Sequence, residues 1–379
     1  MKKAGKVAAG SRRRARTPGP AGPRRAGATR SAPATGVAAD LLAWYARARR
    51  DLPWRRSRDP YRVWVSEIML QQTQVERVRD AFVRFVDRFP SVESLAAAAE
   101  DDVLRLWEGL GYYRRARHLH AAARVVVAEH DGRLPRDVAG LRGLPGIGRY
   151  TAAAIASIAL GLPEPIVEAN SRRVIARLAG HAAALDGPGG DEPIWRIAAT
   201  LVPDRDPGRF NQALMDLGAT VCLPVRPLCG TCPLAARCAA RRTGRTAEIP
   251  AASTRRPTER VHETAVVVRH AGRALVVRRG RGEWWEGLWD FPRLAGGGRT
   301  AAAGIAAAPS LRPLECSRPT RLGRLTHTVT HHRITLDVVS CTAARPGRAA
   351  RGRRWVTPAA LARLAMTAPG RRIARMIRS

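Results

Sequence analysis

After Lys6 the chain contains no lysine. Its positive charge beyond that point is arginine, whose guanidinium stays protonated, so residues 7–379 offer no side-chain amine for Schiff-base chemistry. Acidic residues are scarce as well: 31 Asp and Glu stand against 66 Lys and Arg, a formal net charge of +35. Such an excess points to a polyanionic partner, above all nucleic acid. A bias toward arginine codons would explain arginine over lysine, but not the shortage of acids. No apolar run approaches a membrane span, so no membrane partner is expected. The N-terminus lacks the apolar stretch of a secretion signal, and a cytoplasmic, nucleoid-associated location is expected for a bacterial source. Cysteines number six, with four crowded between 222 and 238. That crowding suits a metal site in a reducing compartment rather than a secreted disulfide framework.

A length of 379 residues is comfortable for two domains. Residues 1–36 are basic and small, cannot form a core, and are expected to be a disordered tail. From 37 to 240 the patterns are helical, including stretches near 76–89, 114–130, 148–160 and 170–179, punctuated by Gly and Pro. Residues 241–260, polar and broken by prolines, read as a linker. Beyond them "ETAVVVRHAGRALVVRR" is two strand-like runs around an Ala-Gly turn. The fold class expected is a mostly α N-terminal domain followed by a smaller α+β domain over 261–379.

Within the first domain, "VWVSEIMLQQTQV" (Val63 to Val75) is apolar on nearly every side of a helix, yet carries Glu67, Gln71 and Gln74 at spacings of four and three. Gln72 points away from that stripe. Asp59-Pro60 supplies its cap and first-turn proline. A buried carboxylate costs several kcal/mol unless something requires it, so the stripe is either a satisfied network or the wall of a reactive pocket.

Three further motifs carry chemistry. Cys222, Cys229, Cys232 and Cys238 are separated by six, two and five intervening residues. Four such thiols suit a [4Fe–4S] cluster or a structural zinc, and a single short-spaced pair favours the cluster. In "LRGLPGIGRYTAAAIAS" a tight turn from Leu144 through Gly146 to Gly148 opens a small-residue helix. Glycines let a ligand approach the backbone, and helix N-terminal amides attract phosphate. In "PIVEANSRRVIARL", Glu168 and Asn170 open another helix. Glutamate is a poor cap, so capping accounts for Asn170 or Ser171 better than for Glu168. A second carboxylate facing Glu67 is what cleavage of a glycosidic bond uses.

Taken together, "LPWR", "YRVWVSEIMLQQTQV", "LWEGLGYYRRARHLH", "LPGIGRYTAAAIAS", "FNQALMDLGATVC" and the cysteine spacing resemble the helix–hairpin–helix glycosylases of base excision repair, most closely adenine DNA glycosylases of the MutY type. Residues 261–379, with "GLWDFP" and "HTVTHHRITL", resemble that family's Nudix-like domain, which recognises 8-oxoguanine. No glutamate-dense box on a helix is present there, so the domain reads as a recognition module and not a phosphohydrolase.

The resemblance implies double-stranded DNA holding adenine opposite 8-oxoguanine or guanine as the partner, acted on by a monomer. It implies that Glu67 protonates an extruded adenine, with Glu168 stabilising the cation or directing water, and Tyr150 and Asn170 supporting them. Gln71, Gln72 and Tyr112 would lie at the mismatch, Leu144, Gly146 and Gly148 on the DNA backbone, and Thr330 and His331 at the 8-oxoguanine sensor. Tyr150 stands where related bifunctional enzymes carry a Schiff-base lysine, which implies a monofunctional enzyme. The family's "VDGNV" is here "VEANS", so Glu168 replaces an aspartate. A related glycosylase of other mismatch specificity and a damage-binding protein with weakened catalysis are the alternatives.

Overall fold

The computed structural model describes residues 33–185, 189–252, 257–296, 311, 314–346 and 352–377. Helix α1 (Pro33–Ala48) begins four residues inside the stretch read as tail, and the remainder of that stretch, 1–32, lies outside the described residues. Helices α2 (Pro60–Leu70), α3 (Val75–Arg88), α4 (Val92–Ala96), α5 (Glu100–Leu106) and α6 (Arg114–Glu129) follow, then α7 (Val138–Gly143) and α8 (Arg149–Ala154). The last of these continues as one π-helical turn over Ile155–Ala159. Helices α9 (Ala169–Ala179), α10 (Glu192–Leu201), α11 (Pro207–Thr220) and the short α12 (Ala239–Arg242) complete the domain. None of the described helices is long and apolar enough to cross a membrane.

Aromatic residues make up only 5% of the chain, and those of this domain concentrate in its core. Trp54 packs edge-on against Phe82, and Phe85 against both Phe89 and Trp107. Helix α2 runs through the middle of this core. Asp59 caps it through Arg62 N at 2.8 Å, Pro60 occupies its first turn, and every residue from Val63 to Met69 is buried. The expected helix through Val75 stops at Leu70. Gln71 leaves helical geometry and Gln72 takes φ 53°, so Gln74 becomes the exposed N-terminal flank of α3 instead of continuing the Glu67–Gln71 stripe. The cause is Arg115, whose guanidinium takes the carbonyls of Ile68, Met69 and Gln71 at 2.7, 3.0 and 2.5 Å. Those carbonyls are left open at a helix end, and a half-buried cation satisfies them.

The linker is packed along part of its length. Ile249 is buried, and its carbonyl accepts from Arg177 Nε at 2.8 Å. The second domain is a sheet of strands β1 (Glu259–His270), β2 (Arg273–Arg278), β3 (Trp289–Asp290), β4 (Arg293–Ala295), β5 (Thr320–Val329), β6 (His332–Thr342) and β7 (Arg353–Val356). Its order is β3-β2-β1-β6-β5, with β4 on β1 and β7 on β2. Strands β1 and β6 are parallel and the other pairs antiparallel. The expected Ala271-Gly272 hairpin turn is present, with φ 45° and 72°. Ala265 and Val267 face a cluster with Leu336, Val338 and Ile373, while Val266 and Val268 face another with Val339 and Cys341, the period-two alternation of a sheet covered on both faces. Helix Ala368–Met376 lies on the first of these faces. From it, Arg371 reaches across to α5's end and binds both carboxylate oxygens of Glu108 at 2.8 Å.

Candidate active site and nucleic-acid interface

Glu67 is 4% exposed. Burial pushes its carboxyl up to about 7, against the Tyr150 hydrogen bond and the Arg55 charge, which favour ionisation; the Glu168 charge adds to the rise. The Tyr150 hydroxyl donates to Glu67 Oε2 at 2.5 Å. Burial first, then the two carboxylates, hold the Tyr150 phenol well above its usual range, so it acts as a donor throughout the physiological range. Four residues on from Glu67 and one on from Tyr150, Gln71 Nε2 donates to Thr151 Oγ1 at 3.1 Å. Helices α2 and α8 are thus joined by two side-chain bonds, with Glu67 at their meeting point.

Glu168 is the N-cap of α9, contrary to expectation. Its Oε2 accepts from Asn170 N and its Oε1 from Ser171 N, both at 2.9 Å, while Ser171 Oγ accepts from Glu168 N. The extra methylene that weakens glutamate as a cap is accommodated by an extended backbone at φ −132°. Asn170 turns its side chain to Arg173 at 3.0 Å and not toward Glu67. It also packs against α11: a Cβ on Gly218 would come within 2.6 Å of Asn170 Cβ, so glycine is what lets the two helices close.

Two quoted motifs meet in a way that the spacing along the chain does not reveal. Asp216, from "FNQALMDLGATVC", is fully buried and accepts from Arg55 Nη1 and Nη2 at 2.6 and 2.9 Å and from Arg50 Nε at 2.8 Å. Arg55 comes from "LPWR". Besides favouring the Glu67 carboxylate, it lines a polar hollow with Tyr45, Arg50, Ser157 and Gln212. Membership of those motifs was the available sequence signal for Arg55 and Asp216.

The hairpin between α7 and α8 forms as expected. Gly146 adopts φ 77°, and Gly146 and Gly148 are exposed at the turn. Leu144 is 3% exposed, so it anchors the turn in the core and presents no side chain to a ligand. Arg149, at the start of α8, lies over the Trp195 ring at 4.0 Å and pairs with Glu192 at 2.6 Å.

Gln72, Tyr112 and Thr330 line one cleft between the domains, together with Trp285 and His327. Tyr112 is 49% exposed, which rules out ordinary core packing for it. Gln72, Tyr112, Trp285 and Thr330 all have positive φ, at 53°, 47°, 59° and 53°. Non-glycine residues in that region are strained, and strain of this kind concentrates at functional sites. Arg115 ties the first two together: having closed α2 below Gln72, it also binds Thr73 Oγ1 at 3.0 Å and the carbonyls of Leu110 and Gly111, each at 3.1 Å. Thr330 and His331 form the two-residue turn between β5 and β6, but His331 does not line the cleft; it faces Glu259, at 3.7 Å. His327, which the sequence did not single out, does line it. Neither of its ring nitrogens has a hydrogen-bond partner, and burial beside Arg293 and Arg372 pulls it down to about 4.

The four clustered cysteines surround one small hollow with Arg177. Burial and the neighbouring thiols push Cys232 up to about 11. Buried Arg177 donates to Cys222 Sγ at 3.4 Å, and Cys238 Sγ lies 3.3 Å from the Arg177 carbonyl. Among the described residues no three of these sulfurs lie within 4.8 Å of one another. Four thiolates on one zinc ion, with bonds of about 2.3 Å, would sit roughly 3.8 Å apart. Four thiols around one hollow with an arginine against them suit a centre of negative charge.

Residues 65–188 match the HhH-GPD superfamily of base excision DNA repair proteins, and residues 264–376 match the NUDIX domain. The chain is 35% identical to the adenine DNA glycosylase of Mus musculus, over 85% of this chain and 74% of that protein. Its identity to the adenine DNA glycosylase of Mycolicibacterium smegmatis is 45%, over 63% of this chain and 79% of the relative. Among solved structures, a thermostable thymine-DNA glycosylase aligns with a TM-score of 0.50 at 30% identity, over 55% of this chain and 97% of that one.

Proposed function

Because the chain belongs to the adenine DNA glycosylase family, within the helix–hairpin–helix superfamily of base excision repair, we propose that it removes adenine paired with 8-oxoguanine or guanine and leaves the abasic site uncut. The observation that carries this reading is Glu67, buried, bonded to Tyr150 and raised to about 7. At pH 7 an ordinary carboxyl of pKa 4.5 is protonated in roughly one molecule in 300, whereas this one is protonated in about half. It therefore supplies a proton that an exposed glutamate does not.

Adenine leaves the stack to reach that proton. Glu67 protonates N7, the N9–C1′ bond breaks with its electron pair going to the purine, and neutral adenine departs. The sugar is left as an oxocarbenium ion. Glu168, whose carboxylate oxygens are both held by backbone amides, faces that charge as a fixed anion. Water adds to C1′ and its proton returns to Glu67. With tyrosine at 150 and no lysine after Lys6, no side-chain amine attacks the sugar.

The cleft lined by Gln72, Tyr112 and Thr330 is the natural seat for the base opposite the extruded adenine, since it joins the two domains and is held by strained residues from both. His327 lines it as well, with both ring nitrogens buried and without a partner. Cys222, Cys229, Cys232 and Cys238 would hold a [4Fe–4S] cluster, a reading that their spacing along the chain, their shared hollow and the adjacent Arg177 support. Bound there, the cluster would brace the loop after α11, where Arg173 Nε donates to the Cys222 carbonyl at 2.7 Å. We take the working unit to be a monomer, located with the nucleoid in the cytoplasm if the source is bacterial.

Single-turnover assays on duplexes containing adenine opposite 8-oxoguanine, thymine opposite guanine and no lesion test the reading. Adenine release with no strand cleavage is expected. Thymine release would move the protein to another specificity, and binding without base loss would make it a sensor.

A further inference from the structure

Beside the strained Thr330 turn, outside the lining of the cleft, three side chains converge, of which the glycosylase resemblance assigned a role to His331 and none to the other two. Glu259, the first residue of β1, has its Oε2 3.1 Å from His332 Nε2 and its Oε1 3.7 Å from His331 Nε2. The three ligand atoms all lie within 4.8 Å of one another. A tetrahedral zinc ion, with bonds of about 2.0–2.2 Å to nitrogen and oxygen, holds its ligands roughly 3.3–3.5 Å apart, a range that these two distances bracket.

The other nitrogen of each ring is also accounted for. Thr330 Oγ1 lies 3.4 Å from His331 Nδ1 and 3.3 Å from His332 Nδ1. Histidines that bind metal ordinarily use one nitrogen while the second is fixed by a neighbouring polar group. Here one hydroxyl serves both rings and leaves both Nε2 atoms directed at the same carboxylate. Trp284 packs against His332 with ring centroids 5.0 Å apart and planes tilted by 54°.

An ordinary ion pair explains this arrangement less well. The two imidazole rings lie side by side, their centroids 4.0 Å apart, and both Nε2 atoms meet one carboxylate, a convergence of three donor groups that a single ion pair does not require. A divalent cation uses all three at once. We infer that Glu259, His331 and His332 form a site for a divalent transition-metal ion of the zinc class, completed by water. An ion there would tie the end of the linker to the β5–β6 turn. That link already has one backbone bond, Glu259 N to His331 O at 3.0 Å.

The test uses the full chain with its cysteine-bound group in place, no affinity tag and no chelator, titrated with zinc chloride by calorimetry. One site per chain with a micromolar dissociation constant is expected, weakened at least tenfold in both Glu259→Gln and His332→Ala. Cobalt chloride should give the visible absorption of a low-coordinate nitrogen–oxygen site, absent in His332→Ala. Melting without added metal checks that each variant is folded. No saturable zinc binding below about 100 μM, or unchanged binding in the folded variants, overturns the site. None of these readouts involves DNA, so the outcome is separate from that of the glycosylase reading.

Discussion

Tyr150 donates to Glu67 across 2.5 Å, from the first turn of α8 to the middle of α2. This bond stabilises the ionised form of the acid, while burial stabilises the protonated form and wins, leaving Glu67 near 7. The balance places the carboxyl where it can both give and take a proton at neutral pH.

The proton on Glu67 gives the reaction a pH signature. The single-turnover rate should fall as pH rises through about 7, because the acid must start protonated. Tyr150→Phe removes a bond that favours the anion, so the falling limb should move to higher pH. A limb that stays in place would detach Tyr150 from the acid.

Glu67→Gln should abolish adenine release, at least a thousandfold, yet preserve binding to the mismatched duplex. It should also stabilise the fold. The folded pKa of Glu67 is raised from 4.5 to about 7, so ionising it in place costs stability that grows across that interval and is complete above it. The variant's melting advantage over wild type should therefore widen between pH 5 and pH 8, by roughly 2–4 °C per kcal/mol relieved. Equal melting points at pH 8 would contradict the burial argument.

Glu168 is at once a cap and a charge, and substitutions separate the two. Glu168→Gln keeps an acceptor oxygen for α9 but loses the anion, so the rate should fall about 100-fold with stability changed by under about 1 kcal/mol. Glu168→Asp should retain or raise the rate, aspartate being the better cap. If the glutamine variant cleaves like wild type, Glu168 is a cap alone.

Arg115 makes six bonds to α2's end and to the loop before Tyr112, and burial pulls its guanidinium down to about 10. An ammonium has three donors and no planar fork. Arg115→Lys should therefore weaken binding of the mismatched duplex about tenfold while the rate at saturating protein stays within about twofold. A loss confined to the rate would place Arg115 in the chemistry.

Purified protein should be brown and contain iron and sulfide in equal amounts. Cys232→Ser should lose the colour. A colourless protein with one zinc per chain would reassign the cysteine site.

Much of this protein was readable along the chain. Hydrophobic period places α3, α6 and α9 to within a residue, the Ala271-Gly272 turn announces its hairpin, and Glu67 betrays itself as a carboxylate among apolar neighbours. These are local properties, fixed by backbone geometry and by the cost of burying charge. What the linear order left open is where distant segments meet. The end of α2 depends on a guanidinium 45 residues further along, which takes carbonyls that the helix would otherwise have used, and so Gln74 left the stripe. Glu168 caps its helix because an extended backbone lets both its oxygens reach the amides. Asp216 found Arg55, and His331 turned to Glu259, through contacts that the order of residues does not encode. Each was decided by which polar or charged partner the packed chain brought within reach, a quantity set only once the whole core is assembled.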